Sequence, residues 1–209
     1  MIITIGNSKG GVGKSTIACN LACMAAKENK KVLLVDADPQ ASSLNFRSIR
    51  EADDIKATAI TTPTLHKDLK EFTNFDLIII DSGGRDSVIF RSAILAADIL
   101  IIPVLPSVYD IWATSDTLEI VQEAKVFNEK LIARFLLNMV MPNTIMAREA
   151  LQALEEKKDI PILKNQLGAR SSFKNGLISG QGVIEHDPKS KAAQELAACY
   201  HEIMQLGDL

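Results

Sequence analysis

Aromatic side chains are scarce in this 209-residue chain, at 5% with a single tryptophan, and there are only three cysteines, Cys19, Cys23 and Cys199. An odd, thinly spread set of cysteines excludes the disulfide framework of a small secreted fold. Cys19 and Cys23 share one face of a helical pattern, a spacing open to a metal, but the simpler reading is two small residues packed behind a loop. Long apolar runs are also missing. The longest, Ile94 to Val108, is interrupted by Asp98, Pro103 and Pro106, which excludes a bilayer-spanning helix there. The opening Met1-Ile2-Ile3-Thr4-Ile5-Gly6 lacks the basic n-region of a secretory signal, so a cytoplasmic location is expected. An excess of positive charge is absent too: 23 Lys and Arg face 26 Asp and Glu, a net charge of −3. That excludes a uniformly basic nucleic-acid protein and leaves only a local basic face open. Repeats, low-complexity tracts and Gly/Ser linkers do not occur, so one domain over residues 1–209 is expected. The first strand pattern begins at residue 2, so no helix-turn-helix domain is expected before it.

The chain does have ordinary globular composition, 47% hydrophobic and 23% charged, with a recurring alternation. Apolar β-branched runs at Ile2–Ile5, Val32–Val35, Leu77–Ile80, Ile99–Ile102 and Ile132–Leu137 read as strands. Helical patterns cover Ser15–Glu28, Leu65–Phe72, Asp86–Ala96, Ile111–Asn128, Ile145–Lys157 and Pro188–Leu206. The last carries a start signal, Asp187 as N-cap and Pro188 in the first turn. Strands alternating with helices predict an α/β fold, a mostly parallel sheet with helices on both faces.

Ser8-Lys9-Gly10-Gly11-Val12-Gly13-Lys14-Ser15-Thr16 follows the first strand and opens into a helix. Glycines let backbone N–H groups turn inward around phosphate oxygens, and the helix N-terminus adds its positive end. In such a P-loop, Lys14 neutralises the β and γ oxygens and the Ser15 hydroxyl ligates Mg²⁺. Two further strands end in acids, Asp36 and Asp38 after the second and Asp81 after the run Phe75 to Ile80. Strand C-termini on the phosphate-loop edge suit such groups for Mg²⁺ or water. Asp36 and Asp38, two residues apart, could also simply cap a turn. Asp81 suits Mg²⁺, which prefers few carboxylates and keeps water.

The run Lys9-Gly10-Gly11-Val12-Gly13-Lys14-Ser15 resembles the signature of the ParA and MinD families, the deviant Walker A ATPases, with Ser8 where the common pattern has its first glycine. The resemblance spans nearly the whole chain, closest to short ParA-type partition ATPases, and implies a P-loop NTPase with ATP and Mg²⁺ as cofactors. It further implies that Lys9 reaches across an ATP-dependent homodimer to the partner's phosphates, with Lys9, Lys14 and Asp38 as the catalytic set. Residues Lys9 to Thr16 then cradle the nucleotide, Asp38 orients the attacking water, and Ser15, Asp36 and Asp81 form the magnesium side. Asp81-Ser82-Gly83-Gly84 fits the second switch, Asn138 the adenine contact, and Pro103-Val104-Leu105-Pro106 a loop near the dimer interface. Gly182-Val183-Ile184 and the residues from Ser190 are similar to the family's C-terminal segment. Partner-stimulated ATP hydrolysis, a nucleoid-associated location and a centromere-binding or cargo-adaptor partner follow from the same resemblance.

Non-specific DNA is the other expected partner. Residues 130–191 hold ten Lys or Arg against six Asp or Glu, so this stretch is net positive in an acidic chain. Lys164, Arg170, Lys174, Lys189 and Lys191 are the candidate DNA contacts, similar to basic C-terminal residues of the ParA family, with solvated helix surface as the alternative. After Lys191 no Lys or Arg remains, which argues against a MinD-like basic membrane-binding helix and hence against a membrane partner. No cysteine lies between residues 24 and 198, which excludes a nitrogenase-type cluster protein. The competing class is a metabolic ATP-dependent carboxylase or amide ligase on the same fold.

Overall fold

Six strands form one sheet: β1 (Ile2–Ile5), β2 (Val32–Ala37), β3 (Ile55–Ala59), β4 (Leu77–Ser82), β5 (Ile99–Val104) and β6 (Ile132–Leu137). Their order is β3-β2-β4-β1-β5-β6, with every pairing parallel. The computed structural model describes the chain apart from residues 85, 86, 142, 143, 158, 208 and 209. The helices are α1 (Lys14–Lys27), α2 (Ser42–Ile49), α3 (Leu65–Asp68), α4 (Val88–Ala96), α5 (Val108–Trp112), α6 (Thr114–Lys125), α7 (Ile145–Glu155), α8 (Ser172–Asn175), α9 (Val183–His186) and α10 (Lys191–Leu206).

Alternation along each strand sorts side chains to two faces. Ile3, Ile5, Leu34, Ile79 and Ile101 enter the core built with α1 and α10. Leu33, Val35, Ile78 and Ile80 pack on the opposite face near α4, and Leu100 and Ile102 pack there with α4 and α6. Each fully buried aliphatic side chain contributes about 1.5–3 kcal/mol. Thr4 is the polar exception inside β1, and its buried hydroxyl donates to the Ala93 carbonyl at 2.9 Å, as a buried hydroxyl requires. Beyond β6, the Phe135 amide donates to Pro161 and the Leu163 amide to Phe135, while Leu167 donates to Leu137 and Val140 to Leu167. This irregular segment covers the β6 edge, whose backbone groups would otherwise be open to pairing.

Several expectations need correction. β3 went unrecognised because it is an edge strand of Ile-Lys-Ala-Thr-Ala with one buried residue, Ile55. Such a strand needs no apolar run. α2 was missed for a similar reason, since only Ser43 and Phe46 of it are buried. The helix expected over Leu65–Phe72 is one α turn followed by a 3₁₀ turn at Leu69–Glu71. The Ile111–Asn128 pattern divides into α5, capped by Ser107, and α6. α10 starts three residues later than Pro188, because Asp187 closes α9 through its amide to Val183 while the Ser190 hydroxyl accepts from Ala193 at 3.1 Å. Pro103, expected in a loop, lies within β5. Asp86, the expected start of one helix, lies outside the described residues, and α4 begins behind Ser87, which accepts from the Phe90 amide. No helix among the described residues is long and apolar enough to cross a membrane.

Candidate nucleotide site

The phosphate loop fills the turn between β1, in the middle of the sheet, and α1. Gly11 and Gly13 adopt left-handed φ of 78° and 93°, and a Cβ at Gly13 would fall 2.5 Å from Asn138 Nδ2, so only glycine fits there. Buried side chains hold the loop from outside. Asn7 Nδ2 donates to the Pro103 carbonyl at 2.8 Å, and its Oδ1 accepts from the Lys9 amide at 2.9 Å and the Thr117 hydroxyl at 3.2 Å. The Ser8 amide donates to the Thr117 hydroxyl at 3.2 Å. Sequence reasoning missed Asn7 and Thr117. Asn7, polar directly after an apolar strand, offered a signal, whereas Thr117 is joined to the loop only by folding.

Lys14 donates to the Lys9 carbonyl at 2.9 Å, and its side chain enters a cleft of about 280 Å³ with Gly10, Gly11, Ser15, Asp38 and Gly84. Burial lowers its pKa, and the nearby Asp81 and Asp38 carboxylates partly offset this. Lys9 does not line that cleft. Its ammonium pairs instead with Asp110 of α5 at 2.7 Å, at 36% side-chain exposure.

Asp36 and Asp81 sit opposite each other on adjacent strands, in register. They differ in what satisfies them. Asp36 accepts from the amides of Asp38 at 3.0 Å, Ser43 at 2.8 Å and Leu44 at 3.0 Å. It therefore also serves the orphan amides at the start of α2, which holds its carboxylate beside Asp81. Asp81 is fully buried. Its Oδ2 accepts from the Ser43 hydroxyl, and its Oδ1 has no partner. Burial pushes its pKa up to about 6, against the pull of Ser43, Ser15 and Lys14. An unpartnered oxygen on a buried carboxylate is open to a ligand, and with the Ser15 hydroxyl it fits Mg²⁺ completed by water. Among the described residues no group of three or more His, Cys, Asp or Glu gathers for a metal, and all three cysteines are buried and free.

Asp38 accepts from the Gln40 amide at 3.0 Å and lines the cleft. A Cβ on Gly84 would lie 3.1 Å from Gly10 Cα and 3.2 Å from Lys14 Nζ. The segment after β4 thus runs close against the phosphate loop, with little room for a side chain.

Beside the cleft opens an apolar cavity of about 330 Å³, walled by Ile17, Met139, Leu167, Phe173 and Leu196, suited to a planar base. The two spaces share Thr16, Met139 and Lys174. Met139 holds φ of 55°, a conformation costing a non-glycine residue about 1–2 kcal/mol, and its amide donates to Asn138 Oδ1 at 2.9 Å. Asn138 lines the cavity, as expected of an adenine contact, but its Nδ2 donates to the Val12 carbonyl at 2.7 Å. It braces the phosphate loop. Met139, which sequence reasoning missed, is one of the three residues lining both spaces.

The five candidate DNA contacts separate. Arg170 forms a two-pronged pair with Glu195 at 2.9 and 2.8 Å. Lys174 lines both spaces of the cleft. Lys164, Lys189 and Lys191 are exposed on the surface.

Residues 3–183 match the family described as the CobQ/CobB/MinD/ParA nucleotide binding domain. The chain is 30% identical to Maintenance of carboxysome distribution protein A of Halothiobacillus neapolitanus, across 97% of this chain and 95% of that one. Among solved structures, apo McdA of Cyanothece superposes with a TM-score of 0.81 at 20% identity, covering 98% of each chain. MinD of Pyrococcus horikoshii, complexed with Mg-ADP, superposes at 0.77 with 20% identity, covering 99% of this chain and 96% of that one. With a phosphate loop, a buried acid open to a cation and a base-sized cavity in one cleft, the chain belongs to the CobQ/CobB/MinD/ParA nucleotide-binding family and is a ParA/MinD-type P-loop ATPase whose cofactors are ATP and Mg²⁺.

Proposed function

We infer that this ATPase positions cargo: its ATP-bound homodimer holds non-specific DNA of the nucleoid, and an adaptor or centromere-binding protein stimulates hydrolysis to release it. The observation that carries this reading is the division of labour between two lysines. Lys14 enters its own cleft, while Lys9 turns outward to Asp110. A second cation kept out of its own phosphate site is available to another copy's phosphates. Its host helix α5 supports this, because Tyr109 and Trp112 stand 76% and 64% exposed beside it, an apolar surface of the kind partners cover.

Within each cleft, Gly10 to Thr16 would cradle the phosphates and Lys14 would balance their charge. Ser15 and Asp81 would hold Mg²⁺, which stabilises the charge that develops on phosphoryl oxygens. Asp38, which lines the cleft beside Gly83, would align the attacking water. The relative named for maintenance of carboxysome distribution supports positioning of cargo.

The test is retention on unrelated DNA sequences with ATP, with ADP and without nucleotide. Retention that needs ATP, ignores sequence and falls steeply with salt is expected. A chain that leaves DNA unbound in ATP, or consumes a small metabolite stoichiometrically with ATP, belongs to the metabolic branch of the family.

A further inference from the structure

We propose that Lys174, a residue whose sequence setting suggests DNA binding, is a nucleotide ligand that grips the ribose and α-phosphate from the C-terminal segment. The inference rests on the ATP reading of the cleft and adds a contact to it.

A nucleotide spans two unlike environments, an apolar one for the base and a polar one for the phosphates. Here these are the 330 Å³ cavity and the 280 Å³ cleft, and among the described residues Thr16, Met139 and Lys174 line both. Ribose and α-phosphate must lie at that junction. Of the three residues, Lys174 alone carries charge. Of the other cations nearby, Lys14 lines only the phosphate-loop cleft, Lys9 lines neither space, and Arg170 lines only the apolar cavity and pairs with Glu195. Lys174 is exposed, so its ammonium can swing to an anion without breaking a buried contact.

Its backbone, by contrast, is fixed to the phosphate loop's own helix. Asn20 of α1 is fully buried, and its Nδ2 donates both to the Thr16 carbonyl at 2.8 Å and to the Phe173 carbonyl at 3.1 Å. Asn20 Oδ1 accepts from the Val183 amide at 2.7 Å. One amide side chain thus ties the end of the phosphate loop to the residue preceding Lys174, and Phe173 anchors in the core. A flexible cation on a fixed base, at the meeting point of base and phosphate sites, suits a charge-assisted contact to a phosphate oxygen.

Because ATP and ADP share ribose and α-phosphate, Lys174→Ala should weaken both by the same factor, about tenfold for one charge-assisted contact. Titration calorimetry of the full chain with Mg-ADP and with a non-hydrolysable Mg-ATP analogue measures this. Lys174→Arg should restore most of the affinity, and DNA retention at saturating nucleotide should remain that of the unmodified chain. Unchanged affinity for both nucleotides in Lys174→Ala would overturn the assignment. So would a loss confined to the triphosphate, which places the ammonium at the γ end, or a loss of DNA retention at saturating nucleotide, which returns Lys174 to a DNA face. The unmodified chain in the same titration tests the nucleotide site itself, so a failure there is visible separately.

Discussion

The phosphate loop and the segment 160–191 both bring lysine to one cleft, yet they obey different logics. In the loop, function is carried by backbone amides, two left-handed glycines and a helix start, all set by neighbours in sequence. In the later segment, charge is decided by residues that arrive only on folding. Between Ile160 and Ile184 the sequence holds three cations and no acid. Nevertheless Glu195 pairs with Arg170, and Glu202 accepts from the backbone amides of Lys164 and Asn165. A basic stretch in sequence is therefore only in part a basic surface, since Arg170 is paired while Lys164, Lys189 and Lys191 stay exposed. A phosphate loop in sequence is a phosphate loop in space.

Perturbing the loop sharpens that contrast most strongly. Lys14→Ala removes the one lysine of the loop that enters the cleft and should weaken ATP and ADP by about a hundredfold or more, read by calorimetry, for loss of multiple charge-assisted contacts. Near-normal affinity would mean that the loop's backbone suffices alone.

The segment can be broken selectively. Joint substitution of Lys164, Lys189 and Lys191 by Glu should reduce ATP-dependent DNA retention by at least about tenfold and flatten its salt dependence, with nucleotide affinity intact. Arg170→Ala is the control. Its charge is held by Glu195, so retention should persist while the melting temperature falls slightly, as for a partly exposed ion pair. DNA loss in Arg170→Ala alone would restore the linear reading of the charge.

A smaller effect follows from Asp81, whose pKa burial raises from 3.8 to about 6. The raised value means the carboxyl is neutral below about pH 6, so a cation must displace its proton there. Magnesium-dependent nucleotide affinity should therefore fall as pH drops through about 6, by at most about tenfold per unit. Without cation the sign reverses for folding: the group's stabilising contribution is full below pH 3.8 and is lost as pH rises through about 6. Affinity flat from pH 5 to 7, measured by calorimetry, would remove Asp81 from the cation site.

Legibility from sequence tracked locality. The five strongly apolar strands were readable because buried parallel strands need continuous apolar runs. β3 was not, since an edge strand with one buried residue carries no such signature. Lys14, Ser15 and Asp81 lie where their motifs placed them. Asp36 was ambiguous in sequence, and its contacts with the Ser43 and Leu44 amides exist only because α2 starts beside its carboxylate in the fold. Ser43, Thr117, Met139 and Asp110 carry no motif. Each reaches the site from a different element, and the contact exists only in three dimensions.

The central claim is that Lys9 serves a second copy's nucleotide rather than its own, and Lys9→Ala tests it most directly. With a slowly hydrolysed ATP analogue, light scattering should find the unmodified chain dimeric and Lys9→Ala monomeric, while calorimetry finds ATP affinity nearly unchanged because Lys14 remains. A Lys9→Ala dimer of normal affinity, or a loss of ATP binding in the monomer, would contradict the account.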